Sequence, residues 1–396
     1  MRLSRSEGER RHAAIQDFLV AEDFIGYVVF TSENFVYTTH FWLDVQTWER
    51  PVAAIFPRGG QPSLILNELS TNHYEIVREN GSCWVPQAEI YVEHHRLINP
   101  TYTRPEWDRL FVDMLKRHGM TRGRVAVDSV QPISAAIRAM LPDVTFRSCP
   151  ELIRDLRLVK SEEELDILRA GGKFTYFGME QVKELLAPNE FIQEVCFEAS
   201  RRIARYLGER HPEEHYQIRV ACDTGVDTAC PHSPSENSGR RISRGDSVIT
   251  NVILRLNGYI IEDERTFIVG QPSDDQVHYM DAMTRAQQAA INALVEGNRI
   301  ADVDAAAQRV HEQAGTSQYL FHRTGHGIGI GGHEYPDDMA YNYRPLQYGM
   351  VFSTEPAVFV RGLGGFRHSD TVIVGRETPE PVTSFSKRLE DLVIAV

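Results

Sequence analysis

The sequence predicts an α/β (α+β) protein of two domains: a small α/β amino-terminal domain over residues 1–155 and a second domain over 160–396 built around a β-hairpin. Strand-like and helix-like runs alternate through the first part. A mixed-charge connector, Arg154-Asp155-Leu156-Arg157-Leu158-Val159-Lys160, then meets Ser161-Glu162-Glu163-Glu164, whose S-x-x-E pattern starts a helix. Further on, Asn257-Gly258 stands between two β-rich runs and marks a two-residue turn. A chain of 396 residues also exceeds one ordinary hydrophobic core.

Composition narrows the class. Hydrophobic content of 42% and charged content of 24% are those of a water-soluble globular protein. A net charge of −13 without any basic run argues against a nucleic-acid partner. No stretch approaches the ~18 apolar residues of a membrane span, and the first residues lack the apolar core of a signal peptide. The five cysteines, Cys83, Cys149, Cys196, Cys222 and Cys230, form no CxxC pair. Reduced thiols and a cytoplasmic location are expected, not a disulfide framework or a zinc site.

Taken in order, residues 6–21 carry a helical pattern through Ala14, Ile15, Phe18 and Leu19, and Tyr27–Phe30 reads as a short buried strand. Asn34–Tyr37 and Pro51–Phe56 continue the strand pattern, with a turn at 58–62 before Ser63–Leu66. Residues 105–118 look helical and Arg124–Asp128 strand-like. The aromatic stretch 41–51, with Trp42, Trp48 and Arg50, reads equally as a pocket rim, a subunit contact or core. After the helix begun at Ser161, Pro188-Asn189-Glu190 interrupts and a further helix runs towards Leu207. Val220–Ser243, rich in Gly, Ser, Pro and Arg, reads as a loop carrying Asp223, Asp227 and His232. Helices are expected near 275–295 and 302–314, and strands with glycine loops thereafter.

Chemistry concentrates on the hairpin. A two-residue turn at Asn257-Gly258 opposes Leu256 to Tyr259, Arg255 to Ile260, Ile253 to Glu262 and Asn251 to Glu264. Opposed residues share a face, so Asn251, Arg255, Glu262 and Glu264 project together, opposed pairs roughly 5 Å apart. Two acids and an amide that close need a positive partner: a metal, a cationic substrate, or Arg255 or Arg265 on a merely solvated face. Four other places hold polar groups in strand or glycine settings. They are His232 between two prolines; Gly325-His326-Gly327-Ile328-Gly329 with His333-Glu334-Tyr335-Pro336; Ser353-Thr354-Glu355-Pro356; and Gly365-Phe366-Arg367-His368-Ser369-Asp370.

In that order these segments, with Arg265-Thr266-Phe267 ending the hairpin, resemble the creatinase/aminopeptidase "pita-bread" family, peptidase M24, which includes Xaa-Pro dipeptidase, Xaa-Pro aminopeptidase, methionine aminopeptidase and creatinase. The resemblance covers most of 160–396, and the Asn34…Tyr37…Phe41 and Arg50-Pro51 region is similar to the amino-terminal domain of two-domain members. It implies a pita-bread catalytic domain and a cytoplasmic homodimer. The family's metallopeptidases hold two divalent ions with Asp, Asp, His, Glu and Glu, the first two acids eleven positions apart. Carried onto this sequence, those positions are Asn251, Glu262, His326, Glu355 and Ser369. Two have lost their charge, and alternation sends His368 to the opposite strand face from Ser369 unless a bulge intervenes.

The same departures are similar to creatinase, a metal-independent member with Asn at the first position, Glu at the place of Glu264 and a histidine at the place of His232; ectoine hydrolase is a further such relative. The expectation is therefore a hydrolase of a C–N bond in a small guanidino or amidine carboxylate, with no cofactor. In that reading His232, Glu264, Glu355 and His326 are catalytic, and Asn251, Glu262, His333 and Arg50 bind the substrate. Two alternatives stand beside it: an Xaa-Pro dipeptidase or aminopeptidase with a reduced metal site, one ion on Glu262, His326 and Glu355; and a binding module without catalysis.

Overall fold

The computed structural model describes residues 2–43, 45–92, 103–233, 238–336 and 339–396. Asp44 of the aromatic stretch and Pro234 after His232 lie outside them. The chain divides into two compact units, Leu3–Arg157 and Leu158–Val396 with the Met1–Arg2 end.

The first unit contains α1 (Arg5–Ala21), β1 (Gly26–Val29), α2 (Ser32–Thr39), β2 (Ala53–Pro57), β3 (Ser63–Asn67), α3 (Thr71–Glu79), β4 (Ala88–Tyr91), α4 (Thr103–Arg117), β5 (Gly123–Val127), α5 (Ala135–Met140), β6 (Val144–Ser148) and α6 (Glu151–Leu158). Its six strands form one mixed sheet in the order β4-β3-β2-β1-β5-β6. Val28, Ile55 and Val127 of that sheet pack with Trp107 and Phe111, whose rings stack at 5.1 Å. Two expectations fail here. Asn34–Tyr37 is helical, because Asp128 accepts from the amides of Phe30 and Thr31 and from Asn34 Nδ2, placing an anion at the start of α2. The connector from Arg154 is also helical as far as Leu158. In the aromatic stretch Phe41 is core, against Phe35 and His73, whereas Trp48 is 82% exposed.

The second unit opens with α7 (Glu162–Leu185), started by the expected capping box: Glu164 N donates to Ser161 Oγ and Ser161 N to Glu164 Oε2. Then come α8 (Ile192–Arg210), β7 (Tyr216–Thr224), β8 (Ser247–Leu256), β9 (Tyr259–Val269), α9 (Asp274–Asn292), α10 (Ile300–Ala314), β10 (Gly325–Gly327), β11 (Val351–Thr354), β12 (Ala357–Val360), β13 (Gly364–Arg367) and β14 (Ser369–Ile373). One sheet runs in the order β10-β11-β14-β9-β8-β7, and β12 pairs with β13. The stretch from Val220 is strand as far as Thr224, not loop, so Asp223 sits on β7.

The hairpin has the expected register, Leu256 opposite Tyr259 through Asn251 opposite Glu264. Asn257 and Gly258 take φ of 43° and 93°, both positive as a type I′ turn requires. Helix α7 covers one face of this sheet closely. A Cβ on Gly171 would come within 2.3 Å of Ile261, and one on Gly178 within 2.9 Å of Val252. Ile261 and Val252 alternate with Glu262 and Asn251, so the polar side chains point away from α7. Arg265 also faces the α7 side, where Nη2 donates to Asp370 Oδ1 at 2.7 Å and Lys387 donates to Asp370 Oδ2 at 2.8 Å. Arg255 donates to the carbonyls of Gly258 and Ile330. Arg265 Nη1 also donates to the main-chain carbonyl of Glu264 at 2.7 Å.

Candidate active site

On the face turned from α7, strand pairing sets the polar residues in rows. Ala221, Asn251, Glu264 and Ser369 stand across β7, β8, β9 and β14; Arg219, Ile253 and Glu262 form the next row. His326 of β10 lies opposite Ser353, and Ser353 opposite Thr371. A cavity of about 1250 Å³ opens over these rows, lined by Asn251, Glu262, Glu264, Glu355, Arg367, His232 and His333 among others. It is roomy enough for a small-molecule substrate.

Two carboxylates converge on one imidazole. His326 Nδ1 donates to the Gly327 carbonyl at 3.0 Å, which leaves the Nε2 lone pair directed elsewhere. That atom stands 3.4 Å from Glu355 Oε1 and 3.8 Å from Glu262 Oε2. The ring of His326 stacks on His333, centroids 3.6 Å apart. His333 Nδ1 in turn accepts from Arg323 Nη2 at 3.2 Å. Glu262 is steadied by Asn251 Nδ2, which donates to Oε1 at 2.8 Å, and by Ser353 Oγ, which donates to Oε2 at 3.3 Å. Ser353 Oγ also meets Ser369 Oγ at 2.7 Å, so a hydroxyl pair fills the place beside Glu262. Asn251 Oδ1 is buried without a partner among the described residues.

Glu264 has a partner within the protein. Arg367 Nη2 donates to its Oε1 at 2.6 Å, and Nε lies 2.6 Å from Oε2, close but poorly aligned for a hydrogen bond. Burial raises the Glu264 carboxyl, with Arg367 opposing. Burial and then the neighbouring Glu262 push Glu355 well above the ordinary carboxylate range. Burial lowers His326, against the pull of Glu262. For Arg367 burial alone would lower the guanidinium, but Glu264 and Glu355 outweigh it and hold it charged.

Of the residues singled out by sequence, Asn251, Glu262, Glu264, Glu355, His232 and His333 reach the cavity, and His326 contacts it through His333. Arg50 belongs to the first unit, where Nη1 meets Glu49 at 2.6 Å. His368 is buried off the cavity, its Nδ1 accepting from Thr266 N. Sequence reasoning gave no role to Arg367 or His322. The first, at the end of β13, stands two residues before Ser369 at the start of β14 and has its parity, a usable signal. His322 had none, lying in irregular chain. Its Nδ1 donates to the Arg323 carbonyl at 2.7 Å, leaving a buried Nε2 acceptor without a partner among the described residues. Burial lowers it to about 4.

Residues 166–376 match the model described as metallopeptidase family M24, and residues 11–159 that of the creatinase/prolidase N-terminal domain. The chain is 36% identical over 335 residues to a probable dipeptidase PepE of Mycobacterium tuberculosis, covering 83% of this chain and 82% of that protein. It is 28% identical over 244 residues to an Xaa-Pro dipeptidase of Pyrococcus furiosus, covering 62% and 68%. Among solved structures, dipeptidase PepE from Mycobacterium ulcerans superposes with a TM-score of 0.82 at 27% identity over 100% of both chains.

Two expectations are corrected by these findings. The creatinase-like reading, a metal-independent guanidino or amidine hydrolase, gives way, because the relatives are named dipeptidases and Xaa-Pro dipeptidases. The physical reason lies in Glu264: the carboxylate meant to clamp a planar cation is already held by the guanidinium of Arg367. The expectation of no cofactor likewise yields to a family described as metallopeptidases. A module without catalysis is also set aside. Match over more than half its length and close kinship to a curated relative place this chain in metallopeptidase family M24, with a creatinase/prolidase amino-terminal domain, as a pita-bread hydrolase of carbon–nitrogen bonds.

Proposed function

We propose that the protein is a dipeptidase working with one divalent metal ion. The observation that carries this reading is His326 Nε2 facing Glu355 and Glu262, two residues of the cavity lining, at 3.4 and 3.8 Å. Ligand atoms around an ion with bonds of ~2.1 Å are spaced about 3.4 Å apart, so those separations and the donor chemistry fit one ion. The unpartnered Asn251 Oδ1 is a further hard oxygen beside Glu262. A second ion does not fit. Asn251 and Ser369 bring no charge, and Arg367 already sets a fixed cation on Glu264. Among the described residues no three His, Cys, Asp or Glu side chains form a closed cage, so the fit is one of donors and not of finished geometry.

The ion supplies Lewis acidity when bound. Glu262 and Glu355 would hold the ion together with His326, and Asn251 and Ser353 keep Glu262 in place. His232, which lines the same cavity, passes a proton to the leaving amine. His333, braced by Arg323, orients the substrate carboxylate, and Ile249, Ile253, Phe321 and Tyr341 offer apolar wall to its side chains. His322 Nε2 accepts an N–H of the substrate.

A cytoplasmic homodimer is part of the same proposal, supported by family likeness and by Cys83, Cys149, Cys196 and Cys222 being buried outside any disulfide. Among the described residues no helix is long and apolar enough to cross a membrane.

The test is hydrolysis of a panel of dipeptides, with and without proline in the second position, by protein stripped of metal and reloaded with Mn, Co or Zn. Cleavage restored by an ion is expected; failure to cleave any dipeptide under every loading overturns the reading.

A further inference from the structure

The loop that leads to His232 is fastened to β13 at two points. Gly365 N donates to Thr228 Oγ1 at 2.7 Å, and a Cβ on Gly365 would come within 2.0 Å of the Thr228 carbonyl. The turn Gly225–Ala229 therefore lies directly on the strand. Two residues along, Arg367 Nη1 donates to the carbonyl of Pro231 at 3.2 Å. The residue that follows is His232.

The direction of that last bond is not left to a loose side chain. The main chain of Arg367 is tied to Thr266 Oγ1 twice, N donating at 2.9 Å and the carbonyl accepting at 2.8 Å. Its guanidinium has one edge against Glu264, 1% exposed, with both nitrogen–oxygen separations at 2.6 Å. A planar fork with one edge committed has the directions of its three other N–H bonds fixed. One of them, on Nη1, meets the Pro231 carbonyl. A lysine would neutralise Glu264 but could not span both partners.

We propose that Glu264 and Arg367 are a positioning pair for His232: the carboxylate orients the guanidinium, and the guanidinium holds the backbone from which His232 enters the cavity. The inference rests on the proton-transfer role given to His232 above. Arg367 acts through His232 and not on the substrate.

The experiment is a double-mutant cycle with a second readout free of substrate. kcat and KM for a cleaved dipeptide are measured in wild type, Arg367→Lys, His232→Ala and the double variant, with metal content matched. Arg367→Lys should lower kcat/KM roughly 10- to 100-fold, chiefly in kcat, the scale of a displaced catalytic group. In the His232→Ala background the same change should cost less than about twofold, since coupled residues are not additive. Equal losses in both backgrounds overturn the proposal. Hydrogen exchange over residues 225–233 of the full chain reads the contact directly and should quicken in both Arg367→Lys and Glu264→Gln. If no dipeptide is cleaved the peptidase reading fails alone, whereas unchanged exchange in that segment sinks the positioning pair.

Discussion

Glu264 and Ser369 stand directly opposite one another in the pairing of β9 with β14. A carboxylate is thus present one strand away from the position that lacks one, but Arg367 neutralises it. Charge near the site is displaced as well as reduced. Wild-type protein loaded with manganese and desalted should retain one ion per chain. The variant Asn251→Asp with Ser369→Glu adds two carboxylates beside Glu262 and should retain more than one, by elemental mass spectrometry. An unchanged stoichiometry would refute the link between these two positions and metal number.

Burial, and after it the neighbouring Glu262, raises the Glu355 carboxyl well above the ordinary carboxylate range. Glu355→Gln keeps shape and removes the charge an ion would use. Metal affinity should fall by more than the roughly 10–100-fold that loss of an outer-shell partner costs. Thermal stability of the metal-free protein should hold or rise, because a strained buried acid is gone. Calorimetric metal titration and a melting curve check both halves.

Gly365 is set against the Thr228 carbonyl with no room for a methyl group. Gly365→Ala must shift backbone, costing about 1–3 kcal/mol by the usual scale of overpacking. Denaturant unfolding should show that loss.

His311 on α10 is buried, with Nδ1 and Thr316 Oγ1 2.9 Å apart, and burial lowers it to about 4. Below about 6.5, its ordinary value, the unfolded chain binds the proton more readily than the folded one. Stability therefore falls as pH drops from 6.5 towards 4. His311→Asn should show a shallower fall, each kcal/mol appearing as about 2–4 °C of Tm. Parallel pH profiles for the two proteins would contradict this.

Much of the site was legible because strand alternation is a local rule. Asn257-Gly258 and the alternating residues around it gave the register of β8 and β9, and hence the shared face of Asn251, Glu262 and Glu264. The capping box at Ser161 was legible for the same reason. Helix α2 was not, since Asn34 meets Asp128 from 94 positions away. Arg367 pairs with Glu264 across 103 positions, which no spacing announces. Missing that pair made the acids of the hairpin look available to an organic cation and led the functional expectation astray.

The two sides of β9 carry separate duties. Glu262 and Glu264 face the cavity, while Asp263 and Arg265 are buried towards α7 and the carboxy-terminal chain. One added residue at the tip of the hairpin would exchange these sets, sending a guanidinium into the catalytic floor and two glutamates into the packed interior. The two-residue turn thus guards specificity and folding at once, and lengthening it would cost both together.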